Sequence, residues 1–130
     1  MEWMRMKKVW MLSAGILILL LETCYAGGAI EARCGAPFCA KGYYVLASCL
    51  AEEHCYSHDG LYNYFVEWLT DGVNGLKADT NRDGALSLGE LQTYIYNKGR
   101  VINVGVDGET YYQHSEAYPA NSDYILFIAR

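Results

Sequence analysis

The chain has 130 residues, a formal net charge of -5 and a hydrophobic fraction of 52%, enough apolar material for one domain core and too little chain for two. An aromatic fraction of 14%, with twelve tyrosines, excludes a disordered polar tail. Its basic residues gather only at Arg5, Lys7 and Lys8, so no basic surface exists to neutralise phosphates and nucleic acid is not an expected partner.

The first element in chain order is an apolar stretch, Val9 to Leu21, thirteen residues long, short of the roughly 20 that span a bilayer as a helix. Two readings fit it. Basic residues before it and Ala26-Gly27 after it give residues 1–26 the form of a cleaved secretory signal peptide, which makes the protein secreted. Alternatively, Ile16 to Glu22 is a buried parallel β-strand, uncleaved, in a cytoplasmic protein.

Gly27-Gly28 then marks a turn, and Ala29 to Arg33 reads as one or two helical turns. Gly35, Pro37 and Gly42 break the chain again. Tyr43 to Cys49 is aromatic and β-branched enough for a second buried strand, and the polar run from Leu50 to Gly60 predicts an exposed loop. Within it, Glu52, Glu53, His54, His58 and Asp59 read first as a solvated stretch and second as the lining of a substrate pocket.

Leu61 to Thr70 is predicted as a helix, because Leu61, Tyr64, Phe65 and Trp68 form one apolar stripe; Gly72 and Gly75 end it. A second helix is predicted from Leu88 to Asn97, with Leu88, Leu91, Tyr94 and Ile95 on its stripe. Val101 to Val106 alternates weakly and is interrupted at Gly105 and Gly108. Tyr124 to Ala129 reads as a last short strand, and Tyr111 to His114 receives no assignment. Strands alternating with helices predict a single α/β domain over residues 1–130 with a mainly parallel sheet.

The cysteines are Cys24, Cys34, Cys39, Cys49 and Cys55. Cleavage after Ala26 would leave four of them, an even number that suits two disulfides in an oxidising compartment. The intervals between the last four, with His54 and His58 nearby, depart from the two-to-four-residue spacing of structural zinc sites.

Asp79-Thr-Asn-Arg-Asp-Gly-Ala-Leu-Ser-Leu-Gly-Glu90 matches the EF-hand calcium loop at every specified position. Calcium is a hard ion that takes six to eight oxygens. Asp79, Asn81 and Asp83 alternate so that a turning backbone can aim all three inward, and Gly84 permits the sharp reversal. The carbonyl of Ala85 supplies the next ligand, Ser87 or a water it holds another, and Glu90 closes the shell with two oxygens. Leu86 packs the loop onto the body of the protein. A plainer reading is an Asx-rich turn before a helix, capped by Ser87 or Asp83. Calcium is thus the expected ion. Glycines break the entering helix and no second loop exists, so the site is expected to be structural rather than regulatory.

Glu22-Thr-Cys24-Tyr-Ala-Gly-Gly28, directly after the apolar run, has the form of a strand end that presents a thiol beside free backbone N–H groups. Ile16 to Gly28 resembles the nucleophile strand of bacterial caspase-like (metacaspase-related) cysteine peptidases. Val45-Leu-Ala-Ser-Cys49 resembles the next sheet strand of that family, and Gly60 to Leu69 the helix after it. Ala78 to Gly84, with Glu90, Leu91 and Tyr94, is similar to a stretch many bacterial members carry. The resemblance runs from Ile16 to Phe127 and implies a partial caspase-like sheet with flanking helices and the EF-hand-type loop. It also implies Cys24 as the nucleophile of a Cys-His dyad. The family's histidine lies before the cysteine, whereas His54, His58 and His114 all follow it. The resemblance therefore implies the C-terminal part of such a domain, with a polypeptide partner supplying the missing N-terminal half. The alternative is a small secreted EF-hand protein with disulfides among Cys34, Cys39, Cys49 and Cys55.

Overall fold

The computed structural model describes residues 17–30, 43–58, 62–99, 103–104 and 110–129. The basic start of the chain, Cys34 and Cys39, the breaks at Gly35, Pro37 and Gly42, Asp59 to Leu61, and Gly105 and Gly108 lie outside them, as does the side chain of His58.

Both apolar runs near the start are strands. β1 (Leu17–Leu21) pairs in parallel with β2 (Tyr43–Ala47), Leu19 facing Val45. Val45, Leu46 and Ala47 are fully buried, because β2 is the central strand and both of its faces are covered. Successive residues of a strand point to opposite faces. Leu46 joins the larger core with Phe65, Leu86, Leu88, Leu91 and Ile95, while Ala47 packs with Ala26 and Cys49 on the other side. β1 is the outer strand of the three described, and its Ile18 and Leu20 are 40% and 51% exposed, unlike the buried strand the sequence predicts.

The sheet is mixed rather than mainly parallel. β8 (Glu116–Tyr118) lies antiparallel on the far side of β2, with Leu46 opposite Ala117. Three further ladders are two-stranded and antiparallel: β3 (Ser57–His58) with β4 (Tyr62–Asn63), β5 (Ala85–Ser87) with β9 (Ile125–Ile128), and β6 (Asn103–Val104) with β7 (Thr110–Tyr111). These are local or returning pairings, which periodicity along one segment does not reveal.

Helix α1 (Tyr64–Val73) is capped by Asn63, whose Oδ1 accepts the Phe65 N–H at 2.8 Å, a side-chain oxygen satisfying one of the first free donors. It starts three residues later than its apolar stripe predicts, because Tyr62 and Asn63 pair as β4. Gly72 does not end it. That residue lies inside the last turn, where a Cβ would approach Tyr94 Cδ1 to 2.9 Å and Leu91 Cδ1 to 3.0 Å, so its small size lets α1 close onto α2 (Leu88–Lys98). α1 ends at Val73 with Asn74 as its C-cap, and the chain breaks direction just beyond it at Gly75, with φ of 65°, followed by Leu76 at 54°, in the left-handed region that favours glycine. Among the described residues no helix is long and apolar enough to cross a membrane.

Candidate functional site

The loop from Asp79 to Glu90 joins the two helices. Three polar side chains fold its first half by bonding back to main-chain amides, the local chemistry that makes Asp and Asn turn formers. Asp79 Oδ1 accepts the Arg82 N–H at 2.7 Å and Asp79 Oδ2 the Gly84 N–H at 3.0 Å. Asn81 Oδ1 accepts from Asp83 N, and Asp83 Oδ1 from Ala85 N, both at 2.9 Å. Gly84 has φ of 82°, with open space where a Cβ would stand, so glycine serves the backbone reversal and not a close contact. Leu86 is fully buried and fixes the loop to the core.

The second half is a capping box. Ser87 Oγ accepts the Glu90 N–H at 3.2 Å, and Glu90 Oε2 accepts the Ser87 N–H at 3.1 Å, two helix-end donors satisfied reciprocally. Glu90 Oε1 reaches across the loop to the Thr80 N–H at 3.2 Å and the Asn81 N–H at 3.3 Å. Burial pushes the Glu90 carboxyl up, but hydrogen bonds from Ser87, Asn81 and Thr80 outweigh it and hold the group below the usual carboxylate range.

The setting differs from a paired EF-hand. β5, the short strand of the loop, pairs with β9, Leu86 opposite Phe127. The C-terminal segment also donates Ala129 N–H to Gly84 O at 2.8 Å. It accepts the Leu88 and Gly89 N–H groups on Tyr124 O and Ser122 O, both at 2.9 Å, which satisfies two of the orphan donors that every helix start leaves. Asp71 on α1 ties the two flanks together: it bonds Lys77 beside the break, accepts Tyr94 O–H at 2.5 Å and faces Lys98 Nζ at 3.4 Å. The bond from Lys77, with that from Tyr94, lowers its pKa to about 2.

The capping reading accounts for Ser87 and Glu90. The Asx-rich turn of the same plainer reading accounts for the bonds of Asp79, Asn81 and Asp83, and it requires neither an acid in the twelfth position nor a glycine in the sixth. The donors are all oxygens: carboxylates from Asp79, Asp83 and Glu90, an amide from Asn81, a hydroxyl from Ser87 and the Ala85 carbonyl. That composition suits a hard cation and no soft one. Among the described residues no group of three or more His, Cys, Asp or Glu side chains converges to hold a metal, and the Glu90 carboxylate rests on the Thr80, Asn81 and Ser87 amides.

Cys24 is exposed in the turn after β1. Tyr25 next to it adopts φ of 61°, and its N–H donates to Glu53 O at 2.9 Å. The expected glycine-opened helix is a 3₁₀ turn (Ala26–Ala29). There Gly27 lies so close to the 50–51 backbone that a Cβ would come within 2.7 Å of Ala51 N. Cys24 Sγ accepts the Cys55 N–H at 3.5 Å. The described imidazoles are occupied elsewhere: His54 Nε2 pairs with Tyr25 Oη at 2.9 Å, and His114 Nδ1 with Glu53 Oε1 at 2.6 Å.

Of the run from Leu50 to Gly60, expected as a solvated loop, residues 50–57 are partly embedded. Glu53 Oε2 also accepts the His114 N–H at 2.6 Å. Gln113, from the unassigned Tyr111 to His114 segment, is fully buried. It accepts Tyr56 N–H at 2.8 Å and donates to Ser48 O at 3.1 Å, satisfying one partly buried and one buried backbone group. Partners up to 65 residues apart make this network, so no local pattern announces it. The same fold brings Cys49 and Cys55 together, both free thiols, with Sγ atoms 3.3 Å apart.

Comparison of the chain with protein-family models, with curated proteins and with solved structures gives no match to any of them.

Proposed function

We propose that this protein binds one calcium ion in the loop from Asp79 to Glu90, and that the ion braces the two helices and the C-terminal strand rather than switching a groove open. The observation that carries the reading is the loop's own hydrogen bonding. Asp79, Asn81 and Asp83 each fold the backbone by accepting main-chain N–H groups while Gly84 reverses it at φ of 82°, with the residue types and spacing that a calcium loop requires. Asp79, Asn81, Asp83 and Ser87 side chains, the Ala85 carbonyl and the Glu90 carboxylate would hold the ion, which supplies positive charge to a segment otherwise rich in carboxylates. A structural role is supported by the break at Gly75 and by the pairing of β5 with β9 where a second loop would pair in a regulatory protein.

Calorimetric titration of the metal-free protein is expected to give one equivalent of calcium bound, preferred over magnesium, because magnesium demands a tighter octahedral shell. Absence of saturable binding at millimolar calcium would sink the proposal.

The scaffold around the loop is read as the C-terminal part of a caspase-like domain, with Cys24 as its nucleophile. Support comes from the parallel pairing of β1 with β2 and from the exposure of Cys24 just beyond the end of β1. A thiol needs a general base within hydrogen-bond reach, and that base comes from a partner polypeptide in this reading. An electrophilic peptide probe is therefore expected to label Cys24 slowly in the isolated chain and not at all after Cys24→Ala; rapid turnover of a peptide substrate by the chain alone would contradict it.

A further inference from the structure

Thr23, Cys24, Ser48, Cys49, Glu53 and Cys55 meet where the turn after β1 crosses the end of β2. Cys49 is fully buried and Cys55 half-buried. Their sulfurs lie 3.3 Å apart, with Thr23 O at 3.3 Å from Cys49 Sγ and 3.0 Å from Cys55 Sγ. Ser48 Oγ sits 2.8 Å from Cys55 Sγ and 3.9 Å from Cys49 Sγ, and Glu53 O lies 3.4 Å from Cys49 Sγ. A lone buried cysteine is ordinarily a small hydrophobe. Two sulfurs in contact, lined by polar oxygens and opening to solvent through one of them, form a different arrangement. Among the described residues it does not extend to a metal-holding group.

We propose that Cys49 and Cys55 form a reversible intramolecular disulfide, made by exchange with a small-molecule disulfide of the glutathione type and undone by thiols. A disulfide needs its sulfurs about 2.05 Å apart, so closure asks for about 1.3 Å of approach across a short, irregular segment. With Cys49 as the thiolate of the pair, the half-exposed Cys55 passes it a proton and attacks oxidised glutathione, whose S–S bond breaks to release one glutathione thiolate. Cys49 then gives up its proton to solvent, attacks Cys55 Sγ and expels the second glutathione thiolate. Two protein thiols become one disulfide, and one oxidised glutathione becomes two reduced ones. Access sets this order, since only Cys55 of the two meets solvent, while the acidity of the pair favours the thiolate on Cys49. Donation from the Cys55 thiol, against desolvation and with help from the Ala26, Ser48 and Tyr25 groups, lowers the Cys49 pKa to about 6. The bond to Cys49 and burial push Cys55 up.

The inference is independent of calcium, and its test is run on the reduced full chain with oxidised glutathione, read by intact mass and peptide mapping. The expected result is loss of two hydrogens, one peptide linking Cys49 to Cys55, and full return with dithiothreitol. Cys55→Ser should remove that linkage while keeping a hydroxyl in the same place. Because Cys49 is core, the urea-denatured wild-type chain replaces a Cys49 variant as the comparison. The native chain should close at least about tenfold faster, since the fold holds the sulfurs in contact. Equal rates in native and denatured chains would overturn the proposal. So would linkage among Cys24, Cys34 and Cys39 with Cys49 and Cys55 left open to alkylation.

Discussion

Calcium at about a hundred times its dissociation constant is expected to stabilise the native chain by about 2.7 kcal/mol, raising the melting temperature by roughly 10 °C for a domain of this size. The effect follows from binding to the folded loop alone, since the unfolded chain does not bring Asp79, Asn81, Asp83 and Glu90 together. Glu90→Gln separates the two roles of that residue. A glutamine in the third helical position still completes a capping box with Ser87 but cannot also accept the Thr80 and Asn81 N–H groups, so the metal-free variant should melt somewhat below the parent. It lacks the charge and the paired oxygens that close a calcium shell, so its calcium-dependent shift should be lost. An equal shift in parent and variant would show that the ion acts elsewhere.

The pH dependence has a definite sign. Glu90 titrates below its ordinary value of 4.5 in the folded chain. A depressed carboxyl stabilises the fold above its unfolded pKa and loses that contribution as pH falls through the folded one. Calcium affinity should therefore hold through the mildly acidic range and fall where Glu90 is protonated, below that ordinary value. Differential scanning fluorimetry across pH with and without calcium reads both effects.

Gly99→Ala is expected to destabilise the fold by about 3 kcal/mol, the upper range for overpacking a close contact. Gly99 caps α2 with its N–H on Ile95 O at 3.1 Å, and its own carbonyl accepts the Gln113 N–H at 3.2 Å. A Cβ would fall on the Gln113 carbonyl oxygen and come within 3.2 Å of Trp68 Cζ3. Backbone cannot yield there as a side-chain tip could. The displaced Gln113 is also the residue whose buried amide holds Ser48 O and Tyr56 N, so the damage should extend to the Cys49 and Cys55 neighbourhood. Gly75→Ala is the useful contrast. Nothing lies within 4 Å of its Cβ position, but φ is 65°, so only the left-handed backbone is strained, at about 1 kcal/mol. Urea unfolding midpoints at constant slope measure both. Equal costs for the two variants would mean that the Gly99 contact yields.

Strong local chemistry was legible along the chain. The stripes of Phe65 and Trp68 and of Leu88, Leu91 and Ile95 do turn toward the core, and the apolar runs at 17–21 and 43–47 are strands. Gly72 shows the limit: its place near a helix end suggests a stop, whereas Tyr94 and Leu91 from the other helix give it a packing role. Ile18 and Leu20 show another, since an all-apolar strand reads as buried whether or not a neighbour covers it.

The loop from Asp79 to Glu90 belongs to the first kind. Its turns are bonds between residues two to five apart, so side-chain type and spacing determine its shape without help from the rest of the chain. What that loop is fastened to, and which residues gather away from it, depended on the tertiary structure. Pairing of β5 with β9, the Glu53–His114 hydrogen bond and the contact of Cys49 with Cys55 under the turn of Cys24 all require distant segments or irregular backbone to meet. Sequence periodicity carries which face of an element is apolar; it does not carry which other element covers that face.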